Sequence, residues 1–384
     1  MSEFFLHSFN TLSHGLIGYI IPFLFVLTIV VFFHELGHFL VARWTGVKVL
    51  TFSLGFGPEL VGFNDRHGTR WKISAVPLGG YVKFFGDDSE ASTPSTETLA
   101  NMTEEERAGS FHHKKVAPRA AIVAAGPIAN FLLAIVIFAG MFMYFGKPNT
   151  VARVDVIQPD SAAAAAGFQV GDIVTSIDGH AIESFADMQQ IVSTNAGSQL
   201  VFGLKRNGSE VSLVATPALK VQKDAFGNSH KIGMLGIQYN SGPNDPKSLS
   251  PVGFWESLKL GAERVWFIVA TTLKFLGSLF MGRGGADELG GPLRIAQLSG
   301  QAASLGFQFL LGLCATISVS IGLLNLFPVP LLDGGHLLFY AVEAVRGRPL
   351  SERAQEMGFR IGLGLVLMLM VFATYNDILH LAAS

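Results

Sequence analysis

The stretch VVFFHELGHFL, residues 30–40, places two histidines and a glutamate within an apolar run long enough to cross a bilayer. Ionisable side chains are costly in hydrocarbon, and those found there usually belong to a functional site. His34 and His38 share one face of a helix, and Glu35 lies about 100° further round. This H-E-x-x-H pattern is typical of zinc hydrolases, where two imidazoles bind the metal and the glutamate takes a proton from the attacking water.

The composition of the chain indicates an integral membrane protein. Of 384 residues, 49% are hydrophobic and 15% are charged, whereas an ordinary soluble domain has roughly 25% charged residues. The apolar residues concentrate in four stretches that predict transmembrane helices: residues 16–42, 121–145, 307–327 and 361–375. The first is too long for a cleaved signal peptide, and no basic region precedes it. The net charge of -2 favours no polyanionic partner, so we expect no nucleic-acid binding.

The distribution of lysine and arginine predicts how the spans are oriented. Ten of these residues lie between positions 43 and 119, and four lie between positions 346 and 360. Cytoplasmic loops are enriched in basic residues, so both segments are expected to face the cytoplasm. Both termini and the long segment 146–304 are then expected to lie on the outer side of the membrane.

The segment after the first span predicts strands rather than a helix. Residues 47–86 are rich in β-branched and aromatic residues and are interrupted by glycines, which indicates hairpins packed on the histidine-bearing helix at membrane depth. Backbone of this kind is tolerated there only where it is buried in protein or lines a wet cavity. Residues 87–110 are acidic and poor in large apolar side chains, which predicts a flexible linker. His112 and His113 are expected to be solvated just beyond it.

Residues 150–220 predict a compact α+β domain on the outer side. Its strands, short helices and the hairpin turn RNGS at residues 206–209 resemble the PDZ domain found in bacterial proteases. The resemblance implies a groove that takes a peptide or substrate tail as an added strand; the alternative is a rigid spacer without a ligand. Residues 221–304 predict a linker with an amphipathic helix at 265–281 that lies on the bilayer rather than crossing it.

A catalytic zinc site needs a third protein ligand, and the stretch NLFPVPLLDGGHLLFY, residues 325–340, offers one. Asp333 follows two prolines that interrupt a helix and precedes two glycines that allow a tight turn. His336 is a rival ligand, and a helix N-cap is another role for Asp333; we favour Asp333 as the ligand. It reaches the depth of His34 only if the third span runs inward, which four spans satisfy and a fifth at 265–281 would not.

The motifs HELGHF, GPIANF and NLFPVPLLDGGH, in this order around a PDZ-like domain, resemble the site-2 protease family and most closely its bacterial RseP-like members. The resemblance covers nearly the whole chain. It implies His34, His38 and Asp333 as ligands of one zinc ion per chain, Glu35 as catalytic base, and Asn325 as a residue that holds substrate or its developing oxyanion. It also assigns substrate engagement to glycines of the β region, namely Gly55, Gly57, Gly79 and Gly80.

The family implies an intramembrane zinc endopeptidase of the bacterial inner membrane. Its substrates would be single-span membrane proteins, cut for regulated proteolysis such as anti-sigma-factor release or for the clearance of leftover signal peptides. One departure is that the best-known enterobacterial member carries two tandem PDZ domains, whereas this chain has room for one. The alternatives are a membrane-anchored PDZ adaptor with a vestigial metal site and a metal transporter. Asn130 predicts a hydrogen bond between helices.

The predicted organisation has four parts. They are an N-terminal membrane half at residues 1–145, the PDZ-like domain at 150–220, the outer linker at 221–304, and a C-terminal membrane half at 305–384 that contains the Asp333 motif at 331–336. The predicted fold class is therefore an α-helical membrane protein with about four spans, a membrane-associated β-hairpin region and an inserted α+β domain.

Overall fold

The computed structural model describes residues 2–87, 102–148, 151–182, 184–223, 229–239, 249–281 and 290–383. They form two compact units: a membrane unit of Met1–Ala139 with Leu258–Ala383, and an α+β unit of Gly140–Ser257. Among the described residues, four helical segments are long and apolar enough to cross a bilayer, and they coincide with the four stretches predicted from the sequence. They are Ile17–Trp44, Val116–Phe145, Phe307–Asn325 and Arg353–Leu379.

Three of the four helices run beyond the apolar stretches from which they were predicted, whereas the helix of the third span ends at Asn325, two residues before its predicted end. A hydropathy pattern marks where a helix meets hydrocarbon, whereas the helix itself continues through neighbouring polar residues that favour it. The helix predicted at 265–281 starts at Phe254 and is not among the four candidate spans. The helices of the membrane segments are α1 Ser2–Trp44, α2 Glu104–Gly109, α3 Val116–Phe145, α6 Phe254–Phe280, α7 Pro292–Leu305, α8 Phe307–Asn325, α9 Asp333–Arg346 and α10 Glu352–Ala383.

The predicted β region is a long hairpin of β1 Val49–Asn64 and β2 Arg70–Phe84. Both strands bend, so residues 49–56 pair with residues 76–84, while residues 59–64 pair with residues 70–74. Residues 51–54 also pair with residues 70–73, which brings the hairpin into four side-by-side segments. Within the described residues, segment 76–84 is paired along one edge only and lies at the border of this sheet.

Aromatic rings fasten the hairpin to the histidine-bearing helix α1. The rings of Phe52 and Trp71 stack with centroids 4.2 Å apart. Phe39 of α1 meets both rings edge-on, at 5.6 and 4.9 Å. Such aromatic pairs add to the burial of apolar area and hold a defined geometry. The hairpin is therefore held beside the helical turn that carries His38.

The acidic linker predicted at 87–110 falls largely outside the described residues. Its first residue, Asp87, turns back beneath the end of β2, where its Oδ2 accepts a hydrogen bond of 2.9 Å from the amide of Phe84. Its Oδ1 lies 2.8 Å from Nε2 of His112. The prediction that His112 is solvated is therefore wrong, because a buried carboxylate distant in sequence holds the ring. His113 is exposed, as expected.

The α+β unit has a four-stranded antiparallel sheet. Its strands lie side by side in the order β6 (His180–Ala181), β5 (Ile173–Ile177), β7 (Leu200–Arg206) and β8 (Ser209–Ala215). The predicted turn at 206–209 connects β7 to β8, with positive φ at Asn207 and Gly208, the signature of a two-residue hairpin turn. The unit continues beyond residue 220, because β11 pairs with β4. Its elements are β3 Lys147–Pro148, β4 Val156–Ile157, α4 Ala162–Ala166, β5 Ile173–Ile177, β6 His180–Ala181, α5 Phe185–Ser193, β7 Leu200–Arg206, β8 Ser209–Ala215, β9 Ala218–Lys223, β10 Ser229–Met234, β11 Ile237–Gln238 and β12 Leu249–Ser250.

Candidate metal centre

Helix α1 presents His34 and His38 on the face that packs against α3. Two glycines allow the close approach of these helices: a Cβ at Gly37 would overlap the carbonyl oxygen of Ala125, and a Cβ at Gly126 would overlap the His38 ring. Nε2 of His34 and Nε2 of His38 lie 3.2 Å apart. The four-residue spacing and the two glycines therefore direct both imidazoles to one point.

Asp333 comes to the same point from the first turn of α9. The preceding loop includes Leu331, a non-glycine residue with a φ of 110°, a backbone conformation that is uncommon for such residues. Gly334 and Gly335 are helical and do not form the expected tight turn. They are needed because a Cβ on either would overlap backbone carbonyls of the loop that folds over this turn. The loop and the glycines together position the carboxylate of Asp333.

The three side chains converge as a metal-ligand set. Oδ2 of Asp333 lies 3.1 Å from Nε2 of His34, and its Oδ1 lies 3.6 Å from Nε2 of His38. One ligand atom from each residue lies within 4.8 Å of the others. Among the described residues this is the one cluster of three or more histidine, cysteine or acidic side chains with such geometry.

The chemistry of these atoms fits a zinc ion. Nδ1 of His38 lies 2.8 Å from the carbonyl oxygen of Ile122; because a carbonyl only accepts, Nδ1 carries the hydrogen and the neutral ring offers its Nε2 lone pair. Oδ2 of Asp333 is buried without a hydrogen-bond partner, despite its closeness to His34. Acceptors that converge in this way are suited to share a cation. Two imidazole nitrogens and one carboxylate are a usual ligand set for catalytic zinc.

A cavity of about 360 Å³ opens onto the three ligands. Glu35 lines it from α1, and Asn325 lines it from the last residue of α8. Gly80 of β2 lines it as well, at a position where a Cβ would lie 3.1 Å from Cγ of Glu35. The structure therefore brings the predicted base, the predicted asparagine and one predicted glycine to the three predicted ligands.

The other predicted glycines do not line the cavity. Gly55, Gly57 and Gly79 have φ values of 85°, 83° and 104°, a region that glycine enters without strain. A Cβ at Gly55 would also lie 2.5 Å from the carbonyl oxygen of Val76. These three glycines allow the bend of the hairpin, which in turn presents Gly80 to the cavity.

The rival ligand His336 also lines the cavity but does not belong to the convergent set. It lies one helical turn beyond Asp333, with its ring centroid 5.4 Å from that of Phe359. Residues three apart on a helix share a face, so His336 lies on the same side of α9 as Asp333. Its ring nitrogens are nevertheless not part of the set of ligand atoms within 4.8 Å of one another that His34, His38 and Asp333 form. The geometry therefore favours Asp333 over His336 as the third ligand.

Sequence reasoning missed a charged group at the wall of the same cavity. Arg119 donates to Oε1 of Glu343 at 2.6 Å, and its guanidinium lies 4.8 Å from the centroid of the Tyr340 ring. Burial raises the pKa of Tyr340 to about 12, so the phenol stays protonated at neutral pH. The sequence indicates Arg119 only as one of the basic residues that follow the first span, and its partner Glu343 lies 224 residues away. No local pattern could have indicated this pair.

Comparison with known proteins gives a consistent assignment. A family model described as peptidase family M50 matches residues 22–369. A Mesorhizobium japonicum protein named as a zinc metalloprotease is 49% identical over 365 residues, with 94% of this chain and 99% of the relative covered. A Rhizobium meliloti protein named in the same way is 52% identical over 361 residues, with 94% and 96% covered. Metalloprotease MmpA of Caulobacter vibrioides is 39% identical, with 95% and 96% covered.

Among solved structures, the PDZ domain of an SdrC-like protein from Listeria monocytogenes matches 23% of this chain and 85% of its own length, at 21% identity and a TM-score of 0.18. A match at that score supports no conclusion about the α+β unit. The family model, by contrast, spans His34, His38 and Asp333, and the relatives cover nearly all of the sequence. The chain thus belongs to peptidase family M50, the site-2 proteases, and is a zinc-dependent metalloprotease.

Proposed function

We propose that the protein is an intramembrane endopeptidase that hydrolyses single-span membrane proteins within or next to their transmembrane segments. The observation that supports this most is the position of the cavity. Glu35, Asn325 and the proposed ligands His34, His38 and Asp333 all line it. Four of these residues lie on helices apolar enough to cross a bilayer, and Asp333 lies eight residues after the end of such a helix. Anti-sigma-factor release and the clearance of leftover signal peptides are examples of such a reaction.

In this proposal Glu35 acts as the general base and then as the general acid. It follows His34 on α1, so its carboxylate lies beside the imidazoles without competing for their position. It takes a proton from the attacking water and delivers it to the nitrogen of the leaving amine, which prevents the peptide bond from re-forming. His34, His38 and Asp333 would hold the zinc ion, which would provide Lewis acidity at the scissile carbonyl.

Asn325 has the position to stabilise the developing oxyanion. It is the last residue of α8 and lines the cavity that the three ligands share. An amide N–H aimed at an oxyanion in a water-poor site contributes about 3–4 kcal/mol at comparable sites. The loop between α8 and α9 ties this asparagine to Asp333 eight residues later, so both groups keep one geometry.

A substrate helix must unwind before its carbonyls can react, because intrahelical hydrogen bonds occupy them. Segment 76–84 of β2 offers an edge for an extended chain, and Gly80, Tyr81 and Val82 of this segment line the cavity. Addition of the substrate as a strand would replace the hydrogen bonds lost on unwinding. Helix-breaking residues in the substrate would lower the cost further.

The proposed topology has four spans, with the metal centre near the cytoplasmic face of the bacterial inner membrane and the α+β unit in the periplasm. The histidines lie in the later part of α1, and Asp333 follows the end of α8. Their convergence requires α1 and α8 to cross in the same direction, which a single return span between them, α3, allows. The basic segments after α1 and α8 indicate that this direction is inward. The α+β unit would then bind a substrate tail as a PDZ-type peptide groove.

The test compares the purified protein with its Glu35→Gln variant. Both should bind one zinc ion per chain, and only the parent should cut a single-span substrate with a fluorescent tail. Loss of the general base should slow cleavage by roughly 10²–10⁴-fold. Glu263→Gln, at an exposed side chain of α6, is the matched control and should cleave at the parent rate. Cleavage by Glu35→Gln at the parent rate, or no cleavage by the zinc-loaded parent across a broad substrate panel, would contradict the proposal.

A further inference from the structure

We propose that Asn130 is a positioning residue for the zinc site: its side-chain oxygen accepts a hydrogen bond from Nδ1 of His34 and so presents Nε2 of that ring to the metal. The inference rests on the proposed role of His34 as a ligand. It extends that role to a residue whose sequence context predicted only a hydrogen bond between helices.

The contact itself is direct and buried. Asn130 lies on α3 with no exposed surface, and its amide end is 3.3 Å from Nδ1 of His34. The atom placed toward the ring is Nδ2, while Oδ1 is buried without a hydrogen-bond partner. An unpaired buried acceptor costs about 1–3 kcal/mol, so its presence beside a metal ligand needs a physical reason.

The tautomer of His34 supplies that reason. If Nδ2 of Asn130 donates to Nδ1, the hydrogen of the neutral ring sits on Nε2 and blocks its lone pair. If the amide is rotated by half a turn, Oδ1 accepts from Nδ1 and the Nε2 lone pair is free. Both orientations leave one amide atom without a partner, so hydrogen-bond satisfaction does not separate them. Only the second lets His34 bind zinc.

His38 shows the same arrangement in a simpler form. Its Nδ1 donates to the carbonyl oxygen of Ile122, two helical turns before Asn130 on the same helix. Helix α3 therefore orients both imidazoles, one through a backbone carbonyl and one through the side chain of Asn130. Outer partners of this type fix the ring and raise the basicity of the ligand nitrogen.

The backbone of Asn130 is held from a third helix. Oγ of Ser318 on α8 donates to the carbonyl oxygen of Asn130 at 2.8 Å. A Cβ at Gly322, one turn further along α8, would lie 3.2 Å from Cβ of Asn130. Helix α8 thus contacts the backbone and Cβ of Asn130 and leaves its amide directed at His34. A residue that served only to join α3 and α8 would direct its side chain to α8.

The experiment measures zinc affinity of the full-length protein by competition with a chromogenic chelator. Asn130→Leu keeps the size and removes the acceptor, so its affinity should fall roughly 10–100-fold. Asn130→Asp keeps an acceptor oxygen and should stay close to the parent. Ser318→Ala removes the α3–α8 hydrogen bond without touching His34; it should lower the melting temperature and leave zinc affinity unchanged. Cobalt-substituted protein gives a second readout, since a displaced imidazole changes the visible absorption bands.

Parent-like zinc affinity in Asn130→Leu would overturn the inference, as would an equal loss in Asn130→Asp and Asn130→Leu, because an acceptor would then be irrelevant. His34→Ala separates this from the proposed function. If His34→Ala loses zinc and Asn130→Leu does not, only the role of Asn130 fails. If His34→Ala keeps full zinc affinity, the proposed ligand set fails and this inference fails with it.

Discussion

The α+β unit and the membrane unit place their apolar side chains in opposite ways. In the α+β unit, apolar side chains such as Val154, Phe202 and Leu204 are buried in one core. In the membrane unit, only 6% of an apolar 18-residue window of α10 and 11% of such a window of α1 are buried. Most of the apolar surface of these two helices therefore faces outward. Lipid solvates that surface, and no hydrophobic force drives these helices together.

Buried polar groups consequently have different meanings in the two units. The buried carboxylate of Asp172 in the α+β unit satisfies a local turn and an arginine. In the membrane unit, the buried Asn130 and Asp377 join one helix to another. Where helices cannot gain from apolar contact with each other, close backbone approach and polar contacts specify how they pack. The metal centre depends on both close backbone approach and polar contacts.

Gly126→Ala tests close approach and should have the largest effect. The added Cβ would overlap the His38 ring and lie 2.9 Å from Cε1 of His34, so the helices must separate or the rings must turn. Overpacking of this kind costs about 1–3 kcal/mol. Because the added Cβ meets both His38 and His34, we expect a cost at the upper end of this range, which is a fall of roughly 10²-fold in zinc affinity. The measurement is zinc content after dialysis against a chelator.

Gly140→Ala on the same helix is the control, because a Cβ there meets nothing within 4 Å. It should bind zinc normally and gain up to about 1 kcal/mol of helix stability, since alanine favours helices more than glycine. Equal zinc retention in both variants would show that close approach at Gly126 does not position the histidines.

The contrast between the units also explains which features the sequence could predict. His34, Glu35 and His38 follow from helical spacing in an apolar run, and Asp333 follows from an acidic residue between broken apolar stretches. These are local signals. The spans follow from composition, and the hairpin at 206–209 follows from its turn residues. Each of these features is decided by residues close to one another in the chain.

The features that could not be predicted depend on contacts between distant segments. His112 was expected in solvent, but Asp87, 25 residues earlier, holds it. Gly334 and Gly335 were expected to form a turn, but they serve a close approach of the preceding loop. The orientation of His34 by Asn130 depends on the approach of α1 to α3, which the sequence signals only through glycines that have many other uses.

Asp172→Asn tests the buried carboxylate of the α+β unit and should have the next largest effect. Nε and Nη2 of Arg206 both donate to this carboxylate at 2.7 Å, and the amide of Gln169 donates at 2.8 Å. Removing one partner of a buried pair is strongly destabilising; because Arg206 remains partly exposed, we expect a loss of about 2–3 kcal/mol in the free energy of unfolding. The loss is measured by unfolding the full chain in urea and monitoring the unfolding of this unit by its susceptibility to proteolysis.

The effect should depend on pH. The hydrogen bonds from Arg206 hold the pKa of Asp172 below its ordinary value of 3.8. A carboxylate with a lowered folded pKa contributes stability above that ordinary value, and the contribution disappears as the pH falls through the folded pKa. The difference between parent and Asp172→Asn should therefore be full at pH 7 and shrink in acid. Glu256→Gln, at an exposed ion pair of the same unit, should change stability by less than about 1 kcal/mol. A pH-independent difference would argue against the ion pair as its cause.

Asp377→Asn tests a polar contact between helices away from the metal centre and should have the smallest effect. Asp377 lies near the end of α10, and its oxygens accept from the amides of Gly291, Leu293 and Arg294 at 2.8, 3.1 and 3.1 Å. The carboxylate thus caps the first turn of α7, whose own N-cap, Gly291, has no side chain. The negative charge also favours the positive end of the helix.

Asparagine keeps one acceptor and loses the charge, so the substitution should cost about 1 kcal/mol. The cost should appear locally, as faster hydrogen exchange at the amides of residues 291–294. Zinc content should stay at the parent value, because nothing in this contact reaches the ligands. Glu263→Gln, which alters an exposed pair within α6, should change neither quantity. If Asp377→Asn left exchange at α7 unchanged, the cap would be dispensable, and packing alone would hold α7 against α10. If Asp377→Asn released zinc instead, α7 and α10 would be coupled to the metal centre more tightly than the contacts between these two helices indicate.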